Sequence, residues 1–153
     1  KLYSQIGQEG IDSAAIIKKL NDDYGNTAYA SLAALNAAKT SCETGKTDEC
    51  IQQLRSAADS SQKSVATIAK IRLARTLINT GKLDEAKTIL AAKMPTAYQS
   101  LISELIGDIH FAKKEYKQAR EAYDKAILSS GGQNTQLLKI KRDDLGDHLK
   151  SGA

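Results

Sequence analysis

"TGKLDEA" at residues 80–86 stands close to "TGKTDEC" at 44–50 and to "EGIDSAA" at 9–15. Aligning the three puts Gly10, Gly45 and Gly81 in register, with Ala15, Cys50 and Ala86 five residues further on. A fourth copy, "KKEYKQA" at 113–119, keeps the small residue as Ala119 but carries Lys114 where the others have Gly. The four small residues are 35, 36 and 33 positions apart. A period of about 34 residues belongs to stacked helix–turn–helix units. The "GK" pair is not a phosphate loop, because the spacing GxxxxGK[ST] is not met and no strand pattern precedes it.

The segments between the copies carry apolar residues at helical spacing: "TAYASLAALNAAKTSCE" (27–43), "VATIAKIRLARTLIN" (65–79) and "AYQSLISELIGDIHFAKK" (97–114). In the last, Leu101, Leu105, Ile109 and Ala112 share one side. A shorter amphipathic helix follows each turn, in "DECIQQLRSAA", "LDEAKTIL" and "EYKQAREAYDKAIL". Ala, Leu, Ile, Lys, Glu and Gln dominate, and there is one Pro and no Trp, a composition that favours helix. Asn26 and Thr47 are expected to cap helix starts, Pro95 to occupy a first helical turn, and Gly45 and Gly81 to end the first helices in a left-handed conformation. Strand patterns are absent.

The prediction is one all-α domain over 1–153, a right-handed solenoid of helical hairpins. It comprises a partial unit over about 1–23, full units over about 27–60, 64–93 and 95–129, and a C-terminal capping helix over about 133–150. The flexible "SSGGQN" (129–134) sets that last helix apart. Only nine residues precede Gly10, where a full first helix would need more, so the helix is expected to continue upstream, towards a membrane anchor.

The net charge of +4 comes from 22 basic and 18 acidic residues interspersed along the chain. Nucleic-acid binders concentrate charge instead. The densest basic cluster, Lys139, Lys141 and Arg142, is answered at once by Asp143 and Asp144. No nucleic-acid partner is therefore expected. Catalytic, cofactor and metal patterns are missing as well. His110 and His148 have no partner at triad or ligand spacing, and neither HExxH nor CxxC occurs. The expected role of His110 is structural, while His148 is expected to be solvated. Asp22–Asp23 and Asp143–Asp144 sit at expected helix ends, where acidic pairs favour the dipole. The chain reads as a non-enzyme.

Cys42 and Cys50 are eight apart. If Ala38 faces Cys50 across the hairpin, Cys42 lies one turn, about 5.4 Å, further along the axis. With axes roughly 8–10 Å apart the Cα separation is about 10 Å, too far for a disulfide. Free buried thiols are the expectation.

Ile106-Gly107, Ala119, Tyr123 and Ala126 stand at the spacing of the tetratricopeptide-repeat signature, which this segment resembles. Leu73-Ala74, Ala86 and Leu90 follow it in part, as do Ala37-Ala38, Cys50, Leu54 and Ala57. The resemblance implies a concave binding face including Leu35, Lys39, Ile71, Arg75, Ile78, Asn79, Glu104, Asp108 and Phe111. That face mixes apolar residues with both signs of charge and lacks the Lys, Arg and Asn set that clamps a peptide carboxylate. The alternative is that many of these side chains pack against the terminal helices and bind nothing.

From about Ile11 to Leu145 the chain resembles the YfgM family, on "TAYASLAAL", "IRLAR" and the closing "KIKRDDL". This resemblance implies the periplasmic domain of a single-pass inner-membrane protein. Its partners would be the SecYEG translocon, a membrane-anchored periplasmic prolyl-isomerase chaperone and exported client proteins. The rival expectation is a soluble cytoplasmic tetratricopeptide adaptor that binds a partner peptide.

Overall fold

The computed structural model describes residues 28–133 and 135–151. Seven α-helices make up the described chain: α1 (Ala28–Glu43), α2 (Thr47–Ala58), α3 (Lys63–Asn79), α4 (Leu83–Leu90), α5 (Gln99–Ala112), α6 (Tyr116–Ser129) and α7 (Thr135–Ser151). A single 3-10 turn, Thr96–Tyr98, leads into α5. The described residues contain no strand. The chain divides into two compact units, Lys1–Thr76 and Leu77–Ala153, and the division falls within α3. The "EGIDSAA" copy, the partial unit over 1–23, the Asn26 cap and the Asp22–Asp23 pair lie outside the described residues.

In the first unit α1 packs on α2. Alanine leads the buried face of α1: Ala30, Ala33, Ala34, Ala37 and Ala38 are at most 4% exposed, and Ser31, Leu35 and Ser41 are buried with them. Opposite them, α2 buries Cys50, Ile51, Leu54 and Ala57. Small side chains on one helix admit larger ones from the other without a void, which is the close packing expected of a protein interior. Ser31 Oγ donates to Ser60 Oγ at 2.7 Å and ties the start of α1 to the loop after α2. In the second unit α4 lies against α5, α5 against α6, and α6 against α7.

The repeated phrase is the same backbone device three times. Lys46 N–H donates to Ser41 O (2.8 Å) and Gly45 N–H to Cys42 O (3.3 Å). Lys82 and Gly81 repeat the pair onto Leu77 O and Ile78 O, and Glu115 and Lys114 repeat it onto His110 O and Phe111 O. This is the Schellman closure, which satisfies the last carbonyls of a helix and requires a left-handed residue. Gly45 (φ 78°) and Gly81 (φ 80°) supply it, as the sequence predicts. Lys114 adopts φ 60° at the equivalent place, although it carries a Cβ. That conformation costs an L-residue about 1–2 kcal/mol. Lys114→Gly should therefore raise stability by about 0.5–1 kcal/mol, after the added freedom of the unfolded chain is subtracted. Thermal melts beside Lys114→Ala, which keeps the Cβ and should give no gain, check this.

Two expectations about helix starts are corrected. Thr47 is the first residue inside α2, and the cap is Lys46, which makes no side-chain capping bond; Lys82 and Glu115 cap α4 and α6 likewise without one. The turn is too short for a separate capping residue, so the residue that closes one helix also opens the next. Its carbonyl accepts the N–H of Cys50, Ala86 or Ala119. Pro95 does not stand in the first turn of α5; it has extended backbone (ψ 146°) before the 3-10 turn, whose Tyr98 N–H bonds its carbonyl at 3.0 Å.

The cysteine expectation is also corrected. Cys42 and Cys50 form a disulfide with a Cα–Cα separation of 5.2 Å, and no free cysteine remains. The estimate of about 10 Å set Cys50 level with Ala38 and spaced the axes as for average side chains. The tight reversal at Gly45 instead brings the first turn of α2 beside the last turn of α1, level with Cys42. Alanines along the hairpin let the backbones approach. Cys50 is fully buried, whereas Cys42 is exposed.

Candidate protein-binding site

Close helix approach in the second unit begins at Gly107. A Cβ built there would stand 2.5 Å from Cε1 and 2.6 Å from Cδ1 of Tyr123. The bare glycine backbone of α5 thus seats the Tyr123 ring from α6, between Ala119 and Ala126, which are fully buried on either side. The ring is held at its far end as well: Tyr123 Oη donates to Asp108 Oδ1 at 2.6 Å.

Asp108 belongs to a stripe on α5 with Glu104 and Phe111, spaced four and three residues apart and hence on one helical face. Lys141 of α7 enters this stripe. Its Nζ donates to Glu104 Oε1 at 2.8 Å and to both Asp108 carboxylate oxygens at 3.1 Å. All three side chains are less than a third exposed. The ammonium also lies 5.9 Å from the centre of the Tyr123 ring. Burial alone would push Lys141 down, but the hydrogen bond to Glu104 and the charge of Asp108 outweigh it and leave its pKa raised. Burial pushes Tyr123 far up, and its bond to the Asp108 carboxylate adds to the shift.

Both shifts carry the same sign for stability. A group whose pKa rises on folding stabilises fully below its unfolded value, here 10.5 for Lys141 and 10.0 for Tyr123, and loses that contribution as pH climbs through the folded value. The second unit should keep its stability to about pH 10 and lose it above, with Tyr123 among the last phenols to ionise. Asp108→Ala removes the acceptor of a buried hydroxyl and one anion of Lys141, and should cost about 2 kcal/mol at pH 7. It should also flatten the alkaline limb of a stability profile followed by helix content.

Beyond Lys141, Phe111 is 44% exposed and meets Tyr116 and His148 edge-on at 5.8 and 5.9 Å. His148 stacks on Tyr116 at 4.5 Å, so it is solvent-exposed, as expected, but engaged. His110 Nδ1 and Glu115 Oε2 are 2.8 Å apart across the α5–α6 turn, a structural latch in keeping with the role read for it. A further pair, Lys113 Nζ to Asp84 Oδ1 at 2.7 Å, joins the end of α5 to the start of α4.

The nine residues read as a concave face have different surroundings. In the first unit Leu35 and Ile71 are buried, while Lys39 and Arg75 are exposed. In the second, Ile78 is partly buried and Asn79 exposed at the end of α3. Glu104, Asp108 and Phe111 are brought together, and side chains of the terminal helix occupy them, the alternative weighed above. Sequence reading missed the partner. It set the cluster Lys139, Lys141 and Arg142 as a whole against Asp143 and Asp144, and of the three Arg142 is the residue that meets Asp143 (3.1 Å) and also Asp124 (3.3 Å). The available signal was the stripe Leu138, Lys141, Leu145, His148 at spacings of three, four and three, the inner face of α7.

Among the described residues no group of three His, Cys, Asp or Glu is placed to hold a metal ion, and no helix is long and apolar enough to cross a membrane. The family model of the tetratricopeptide repeat-like domain matches residues 1–147. No protein of curated function and no solved structure matches the chain. Domains of this family are in general non-catalytic modules that bind other proteins. Three identical hairpin turns, the Gly107–Tyr123 seat and a match over nearly the whole length together place this chain in the tetratricopeptide repeat-like family.

Proposed function

We propose that the chain is a non-catalytic protein-binding scaffold of the periplasm, tethered to the inner membrane beside the SecYEG translocon. Its partners on this reading are the translocon, a membrane-anchored prolyl-isomerase chaperone and exported clients in transit. The observation that carries the compartment is the Cys42–Cys50 disulfide. Such bonds persist in the periplasm and are rare in a reducing cytoplasm, which weighs against a cytoplasmic adaptor. The YfgM-like segments "TAYASLAAL", "IRLAR" and "KIKRDDL" support the translocon association. Family membership supports binding without chemistry.

Lys39 and Arg75, exposed and cationic, are the side chains of the proposed face best placed to meet a partner. Tagged protein recovered from native membranes should bring down translocon and chaperone subunits and contain no free thiol when denatured without reductant. Lys39→Glu with Arg75→Glu should reduce that recovery about tenfold, the effect of losing two charged contacts. Unchanged recovery would move the binding surface elsewhere, and absence of both partners from the wild-type sample would sink the translocon reading.

A further inference from the structure

We infer that the Cys42–Cys50 bond is a thiol–disulfide exchange site, opened by a dithiol of the Cys-x-x-Cys kind that attacks Cys42 and not Cys50. The argument rests on the α1–α2 hairpin alone and holds whichever proteins the chain binds. The two cysteines stand in opposite surroundings. Cys42, in the last turn of α1, is exposed, whereas Cys50, in the first turn of α2, is 0% exposed. A thiolate must approach a disulfide in line with the bond, from behind the sulfur it attacks, so access selects the sulfur. Cys42 offers that approach from solvent. Cys50 offers none, because no part of it meets water.

The exchange balances in two steps. The attacking cysteine of the dithiol loses its proton and bonds to Cys42 Sγ. The bond between Cys42 and Cys50 breaks, its electron pair leaves with Cys50, and that buried sulfur takes up a proton to become a neutral thiol. The second cysteine of the dithiol, deprotonated in turn, attacks its own neighbour in the mixed disulfide and expels Cys42 as a thiolate, which solvent protonates. The dithiol ends as a disulfide, oxidised by two electrons, and the hairpin ends with two thiols.

The hairpin has the features of a fold that survives this. The reversals at Gly81 and Lys114 close with the same pair of backbone bonds and no disulfide. Ala86 and Ala119, each fully buried, fill the place that Cys50 fills in α2. A reduced Cys50 is there a small apolar side chain in a position that takes small ones. The bond is thus an addition to a turn that forms without it, and breaking it loosens the hairpin without removing it.

Mixed-disulfide trapping tests the direction of attack. The oxidised chain is mixed with a reduced Cys-x-x-Cys oxidoreductase whose second cysteine is serine, quenched with acid and mapped by mass spectrometry. The adduct should sit on Cys42, in about tenfold excess or more over Cys50. No adduct, an even split, or a majority on Cys50 overturns the proposal. Kinetics give a second arm. Reduction by dithiothreitol should be first order in reductant, and Ile51→Val, a mild change in the buried face of α2, should leave its rate constant unchanged. A rise in step with the stability lost, about fivefold for one core methyl group, would place the attack in an opened hairpin and overturn it. A Cys42→Ser, Cys50→Ala chain stands for the reduced state and should keep the helix content of α1 and α2 by circular dichroism. Loss of those helices would make the bond a staple the fold needs, and that also overturns it.

Discussion

Gly107→Val should destabilise the second unit by about 3 kcal/mol, the upper end of what overpacking a close-packed interior costs. The added Cβ would fall inside the van der Waals envelope of the Tyr123 ring, 3.0 Å from Cζ and closer still to two other ring carbons. The ring has no free direction of escape. Its hydroxyl is tied to Asp108 and its edges lie among buried alanines. A branched side chain adds two methyl groups to the same space. The melting temperature should fall by roughly 6–12 °C for a chain of this length. Gly107→Ala should cost less, about 1–2 kcal/mol, because improved helix propensity offsets part of the clash. A double-mutant cycle isolates the cause: in a Tyr123→Leu background the same Gly107→Ala change should be about 1 kcal/mol cheaper. An equal cost in both backgrounds would show that the ring is not the obstacle.

Reduction of the Cys42–Cys50 bond should lower the stability of the α1–α2 hairpin by about 2.5 kcal/mol. The loop closed is nine residues, 42 to 50, and releasing it restores chain entropy to the unfolded state by roughly that amount. The hairpin has little else to spare, since its α1 face buries mainly alanine methyls, each of which contributes far less than a leucine. Amide exchange with and without a dithiol reductant should show the largest loss of protection in α1 and α2. Equal protection in both states would mean that alanine packing holds the hairpin unaided.

How much of this was legible beforehand depends on the range of the interaction. Gly45, Gly81 and the small residues Cys50, Ala86 and Ala119 were readable because each acts within a few residues, through a turn or a hairpin contact. Gly107, Ala119 and Tyr123 were readable as a spacing, although nothing in the spacing says that the phenol is tied to Asp108. The disulfide was misjudged by an assumed interaxial distance, a quantity that the alanines of α1 change and a generic hairpin does not supply. Lys141 was misjudged for a different reason. Its carboxylates lie 37 and 33 residues away, while two decoys stand next to it in the chain. Asp143, at i+2, lies off the face that Lys141 turns towards α5, and Asp144, at i+3, stays exposed to solvent.

The Schellman turns have a consequence for where this chain tolerates change in length. Each of the three described reversals uses one residue both to finish one helix and to start the next, and in each the left-handed residue stands five positions before the small one. An inserted residue would rotate the second helix by about 100° and turn its apolar stripe away from the first. The uneven spacing of 36 and 33 between Cys50, Ala86 and Ala119 must then arise outside the turns. It does, because α3 has 17 residues against 14 in α5 and α2 has 12 against 8 in α4, only partly offset by the linkers between hairpins, 59–62 and 91–98, while the reversals at 44–46, 80–82 and 113–115 do not differ. Tags, labels and grafted peptides belong in the former. In the latter, a single added residue is a frameshift in three dimensions.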